Sequence, residues 1–145
     1  MYSHILVPTD GSLLSTSAVE RALAFARDAG AKVTLLIVTE PFHLFSMDPE
    51  QVSYSRETYE RHVREDAAGI LRRAAQRANA LGVPCETVLT EHEQPYQAII
   101  DTASAKSCDL IAMASHGRRG MEALLLGSET LKVLTHSRIP VLVYR

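Results

Sequence analysis

The chain has 145 residues, 46% of them hydrophobic and 22% charged, with a formal charge of −2 and a pI near 6.3. That is enough for one domain whose core needs no staples. It gives no basic field for tracking nucleic acid and no polybasic patch for a membrane surface, and no run approaches the ~20 apolar residues of a membrane span.

The first stretch, Met1 to Thr9, reads as a strand buried on both faces, because Ile5-Leu6-Val7 is continuous rather than alternating. It starts without a signal-peptide pattern. Cys85 and Cys108 lie far apart and form no C-x-x-C. A cytoplasmic location with two inert thiols is therefore expected, although spacing alone leaves a disulfide between them open. Asp10-Gly11-Ser12 turns the chain, and Ser12 is the expected N-cap of a helix carrying Leu14, Ala18, Ala22, Phe25, Ala26 and Ala29 at helical spacing. Gly30 stops it, and Lys32 to Thr39 is a second, β-branched strand. Together these elements form a βαβ unit with a parallel pair and a right-handed crossover.

From Glu40 to Ser55 two prolines and scattered aromatics, among them Phe42, His43 and Phe45, hold no period. A surface excursion is expected there, either a plain connection or one that responds to ligand. A helix is expected from Arg56 to Leu81, its apolar stripe running through Tyr59, Val63, Ala67, Ile70, Leu71, Ala74 and Ala78. Its arginines and acids make a solvated face of i,i+4 pairs. Val83 to Thr90 is a third strand, and Pro84 near its start argues for an edge position. Pro95 suits the first position of a helix that buries Ile99, Ile100 and Ala103. Asp109 to Met113 is the fourth strand, Ser128 to His136 a last helix on Leu131, Val133 and Leu134, and Ile139 to Tyr144 the fifth strand. Five strands alternating with helices specify an open, doubly wound parallel sheet with helices on both faces, in a single domain over residues 1–145.

The stretch that carries chemistry is Ile111 to Ser128, which passes from strand through a glycine-bearing loop into a helix. Such a loop aims backbone N–H groups at one spot, where the helix dipole adds positive charge, and phosphate is the natural guest. Ser115, Arg118, Arg119 and Ser128 strengthen that preference. Turn geometry alone is the competing reading of Gly117, Gly120 and Gly127. The loop is not a Walker motif, because Leu126 precedes Gly127-Ser128 and no lysine stands there. Nor does the glycine spacing fit the dinucleotide fingerprint. Asp10 and this loop both end strands, so they flank one crevice if the first and fourth strands are neighbours.

Val7-Pro8-Thr9-Asp10-Gly11-Ser12, then Ser115-His116-Gly117, nine residues, Gly127-Ser128, and the closing Ile139-Pro140-Val141-Leu142-Val143 together resemble the universal stress protein family. The resemblance covers the whole chain. It implies a Rossmann-like sheet in order 3-2-1-4-5 of the adenine nucleotide alpha hydrolase type, and a homodimer through Val141, Leu142, Val143 and Tyr144. It also implies ATP, with AMP or another adenine nucleotide as alternatives, held without a catalytic centre and serving as a switch. The family's nucleotide-binding branch carries G-x-x-G-x9-G-[ST], and here Ala114 replaces the first glycine. If that position needs positive φ, its Cβ is costly; if it needs only close approach, a methyl is tolerable.

Carried over by position, Asp10 bonds the ribose hydroxyls, Pro8 and Thr9 wall the base, and the Val38 backbone meets the adenine edge. Met113 and Ala114 line base and ribose. Ser115, His116, Gly117, Arg118, Gly120, Gly127, Ser128 and Glu129 are assigned to the phosphate side. The chemistry of Asp10 agrees independently, since a carboxylate accepts vicinal hydroxyls and repels phosphate. Its other reading is a simple turn-former before Gly11.

Rival constellations are weaker. Glu91-His92-Glu93 is dense but adjacent residues seldom converge on one ion, and no His pair has i,i+4 spacing. Mg²⁺ bridging phosphates is the metal role that fits. Ser115 beside His116 suggests a nucleophile and base, but neighbouring side chains are not expected to meet, and no G-x-S-x-G elbow is present. S-G-G-x-D-S and H-x-G-H signatures of ATP-dependent activating enzymes are also absent. No enzyme activity is expected beyond slow ATP hydrolysis. The alternative of another class is a dimeric interaction module that binds no nucleotide, built on the apolar fifth strand as an unpaired sheet edge.

Overall fold

The computed structural model describes residues 1–42, 56–117 and 125–145. Its strands are β1 (His4–Pro8), β2 (Lys32–Thr39), β3 (Cys85–Glu91), β4 (Leu110–Ala114) and β5 (Val141–Tyr144). They alternate with α1 (Leu13–Ala29), α2 (Arg56–Ala80), α3 (Pro95–Ala105) and α4 (Ser128–His136). The five strands form one parallel sheet in order β3-β2-β1-β4-β5. The chain builds leftward from β1 to β2 and β3, then crosses to β4, so strand order reverses between β1 and β4. A crevice must open beyond the carboxyl ends of that pair, because the helices leaving the two strands go to opposite faces.

Each face has its own apolar cluster. One holds Ile5, Val7, Val33, Leu35 and Ala112 under Val19, Leu23, Ala67 and Leu71 of α1 and α2. The other holds Leu6, Leu36, Ile111 and Met113 under Ile99, Ala103 and Val133 of α3 and α4. Successive strand residues alternate between these clusters, as the pleat requires, and the central strands carry continuous apolar runs at Ile5–Val7, Leu35–Val38 and Leu110–Ala114 because both faces are covered. Helix ends follow the local chemistry. Ser12 caps α1 by accepting the Ser15 N–H at 3.2 Å, and Gly30 ends it with φ of 68°. Pro95 opens α3.

β3 is an edge strand, as Pro84 argued. Two expectations on the last helix are corrected. Val133 is fully buried, but Leu131 and Leu134 are 53% and 39% exposed, and it is Thr130 that joins Val133 in the interior. At the sheet margin a nine-residue helix has strands beneath only one line of side chains, so an apolar stripe wider than that line faces outward. Ile100 is likewise only half-buried, its place taken by Ala98. Among the described residues no helix is long and apolar enough to cross a membrane, and both cysteines are free thiols.

Candidate functional site

The crevice between β1 and β4 is where the motif residues gather. At the end of β1, Asp10 uses Oδ1 twice, accepting the Ser12 N–H at 2.9 Å and the Ser15 hydroxyl at 2.9 Å. The first is the local turn that Asp before Gly-Ser favours. The second ties the carboxylate to the buried first turn of α1, where Ser15 Oγ also lies 2.9 Å from Thr9 Oγ1. The turn-former reading of Asp10 therefore holds for Oδ1. Its Oδ2 faces Gly117 of the opposite loop, so closely that a Cβ built on Gly117 would stand 2.6 Å from it. Gly117 has no positive φ. It is glycine because the backbone passes against a carboxylate, and the first and fourth strand ends meet there.

On the other wall, β4 ends at Ala114, whose neighbour Ser115 is a junction. Its N–H donates to Tyr144 O at 2.8 Å, and its carbonyl accepts the Gly127 N–H at 2.7 Å. The second bond folds residue 127 back onto residue 115, so the amino end of α4 stands directly over the end of β4. Gly127 has φ of −63°, so it is proximity rather than φ that favours glycine there. A Cβ there would lie 3.1 Å from Ser115 O and 3.3 Å from His116 Cα. Among the described residues no side chain caps α4 at Gly127, and the positive end of the helix dipole lies at the end of β4.

Ala114 resolves a question the sequence raised. It pairs with Tyr144 as the last residue of β4, 6% exposed, and positive φ among non-glycine residues occurs in the described chain only at Ser107. The position is extended strand, where a methyl is ordinary. Its carbonyl accepts the Thr130 hydroxyl at 3.0 Å, which locks α4 to the strand end.

Several assigned residues sit differently from expectation. Ser115 Oγ and His116 Nδ1 are 3.0 Å apart, so these adjacent side chains do meet, contrary to the sequence argument. The reason is that the chain leaves the sheet at this point and no longer alternates its side chains. Both are buried and bonded to each other, with the His116 ring under Gly127. Glu129 was assigned to the phosphate side, but its Oε2 accepts the Tyr96 N–H at 2.8 Å and so caps α3, whose own N-cap residue Gln94 makes no such bond. Thr9 turns its hydroxyl toward Ser15. Pro8 is half-buried at the end of β1, and Val38 and Met113 belong to the α3–α4 side cluster at the ends of β2 and β4. Ser128 is exposed as the first residue of α4. Arg118, Arg119 and Gly120 lie outside the described residues, as do His43 and Phe45.

Sequence reasoning missed Ser15 and Thr130, which hold Asp10 and Ala114 in place. Ser15 carried no signal beyond its spacing from Ser12. Thr130 had one, a β-branched polar residue inside a short amphipathic helix. A separate recess of about 240 Å³ lies beyond the ends of β2 and β3, lined by Thr39, Glu40, Tyr59, Arg64, Leu89 and Glu91. None of the sequence-assigned residues lines it.

Comparison with known proteins agrees along the chain's full length. The model of the universal stress protein family matches residues 1–145. Universal stress protein MJ0531 of Methanocaldococcus jannaschii is 30% identical over 145 residues, covering 100% of this chain and 83% of the relative. Among solved structures, MJ0577 of the same organism superposes with a TM-score of 0.82 at 27% identity, over 99% of this chain and 95% of that one. A universal stress protein solved in complex with cAMP superposes with a TM-score of 0.73 at 26% identity, over 99% and 97% of the two chains.

Proposed function

Because the chain belongs to the universal stress protein family over all 145 residues, we propose that it binds an adenine nucleotide, ATP first among them, in the crevice between β1 and β4. In this reading the nucleotide acts as a switch in a homodimer rather than as a substrate. The observation that carries it is the 2.7 Å bond from Gly127 N–H to Ser115 O. It sets the uncapped amino end of α4 beside Gly117 and opposite Asp10, with an anion site on one wall and a hydroxyl acceptor on the other. The cAMP held by a structural neighbour supports the adenine class of ligand. Asp10 takes the ribose, Val38 and Met113 flank the base, and the amides of Gly117 and Ser128 take phosphate. Glu129, committed to α3, holds a negative charge away from the phosphates. Ser115 and His116 are buried against each other, which supports binding rather than turnover as the work of the site. Mg²⁺ would bridge phosphates and keep most of its waters.

β5 supports the dimer. Val141, Leu142, Val143 and Tyr144 are all half-buried on a strand that, among the described residues, pairs only with β4, and Leu131 and Leu134 of α4 are exposed. The two free thiols suit a reducing cytoplasm. A switch requires that nucleotide favour one arrangement over another, since equal affinity shifts nothing.

The test is calorimetric titration of nucleotide-stripped protein with Mg-ATP, AMP and cAMP, run beside Asp10→Ala and Ala114→Gly. Micromolar binding weakened at least tenfold by Asp10→Ala is the expected result, with Ala114→Gly close to the parent. Absence of binding to all three nucleotides in the parent would sink this reading and leave a dimeric interaction module of the same fold.

A further inference from the structure

At the end of the sheet remote from the crevice, a chain of polar side chains runs across three strands, from buried His4 and Thr34 out to Glu86 and Lys106 at the surface. His4 of β1 is 4% exposed, and its Nε2 lies 2.7 Å from Oγ1 of the fully buried Thr34 of β2. Thr34 in turn donates to Glu86 Oε1 of β3 at 3.0 Å, and Glu86 Oε2 lies 3.3 Å from Lys106 Nζ just beyond α3. The proton order along this chain follows from chemistry. An ionised carboxylate only accepts, and the Thr34 hydroxyl and Lys106 hold Glu86 below the usual carboxylate range. Thr34 has a single proton and gives it to Glu86. Nε2 of His4 must therefore be the donor to Thr34, and Nδ1 is the nitrogen left to titrate.

The charges around the ring come from every neighbouring element. They are Lys32 of β2, Glu86 of β3, Lys106 after α3 and Asp109 before β4, with the Lys106 carbonyl also at the ring. Asp109 is already occupied by the amides of Ser3 and His4 and by the Ser3 hydroxyl, at 2.9 to 3.1 Å. We propose that this chain makes the fold acid-sensitive: His4 is neutral in the folded protein with its proton on Nε2, and acid favours forms in which this end of the sheet has opened. Burial, reinforced by Lys32, pushes the His4 pKa below its ordinary 6.5 against the opposing pull of Glu86, the Lys106 carbonyl and Asp109. An opened chain takes the proton near 6.5, whereas the folded chain takes it only at lower pH. Stability is thus intact above 6.5 and falls as pH drops from there to the folded value, by up to about tenfold in the folding constant per pH unit. β1 begins at His4 and ends at Pro8, so opening this end removes the strand that carries the crevice's first wall.

Two measurements test this on the full chain. Imidazole ¹⁵N spectra between pH 8 and 5 are expected to show His4 as the Nε2–H tautomer, titrating below 6.5, and Thr34→Val is expected to mix the tautomers. Urea unfolding over the same range is expected to fall more steeply with acid for the parent than for His4→Gln, which keeps a donor but cannot titrate. An Nδ1–H tautomer, a His4 midpoint at or above 6.5, or parallel stability profiles would overturn the proposal. If His4→Gln does not fold, the spectra of the parent decide alone.

Discussion

Gly117→Ala puts the meeting of β1 and β4 to a direct test. The added methyl would stand 2.6 Å from Asp10 Oδ2, about 0.8 Å inside the 3.4 Å at which ordinary contact begins. A carboxylate usually swings away from such a clash. Asp10 is not at liberty to do so, because Oδ1 accepts from the Ser12 amide and the Ser15 hydroxyl at 2.9 Å each. Rotation sacrifices at least one charge-assisted hydrogen bond, about 1.5–3 kcal/mol, and withdrawing the loop instead incurs an overpacking cost of similar size. The expected destabilisation is about 1–3 kcal/mol by urea unfolding, together with weakened nucleotide binding because the carboxylate leaves its position. The decisive form is a double-mutant cycle with Asp10→Ala, in which the methyl meets no carboxylate. There the cost of Gly117→Ala should shrink to a few tenths, leaving a coupling of about 1–2 kcal/mol. Additive losses would refute the contact and with it the geometry of the crevice.

Other expectations are quicker to check. Ser107 has φ of 56° without being glycine, so Ser107→Gly should stabilise the protein by about 0.5–1 kcal/mol, read as a raised urea midpoint. Leu36→Ala, at a fully buried position on β2, should cost about 2–5 kcal/mol, whereas Leu131→Ala on exposed α4 should change monomer stability by no more than about 0.5 kcal/mol. Asp109 resists the upward pull of burial through the amides of His4 and Ser3 and the Ser3 hydroxyl, which together hold its pKa below 3.8. Its contribution is therefore present above 3.8 and lost as pH falls through the lower folded value, so Asp109→Asn should destabilise at pH 7 and approach the parent in strong acid.

What could be read from the chain alone was whatever rests on local chemistry. β2 and α4 were legible to the residue, because Lys32–Thr39 is rich in β-branched residues and Ser128–His136 is bounded by Gly127 and by Ser137 before Pro140. Ser12, Gly30 and Pro95 punctuate helices by properties of single residues, and the alternation of strands with helices implied a doubly wound sheet. Reasons that depend on distant neighbours were out of reach. Gly117 and Gly127 read as phosphate-side glycines, with turn geometry as the competing reading, but the sequence could not show that another segment passes against each, Asp10 in one case and the Ser115–His116 backbone in the other. Glu129 looked like a phosphate neighbour until α3 supplied the Tyr96 amide. Leu131 and Leu134 looked like core until the sheet ended beneath them. His4 and Thr34, 30 residues apart, had no shared pattern at all. Periodicity and capping are carried within a few residues and so were legible in the sequence, whereas burial, close approach and the direction of a hydrogen bond are properties of pairs that only the folded chain brings together.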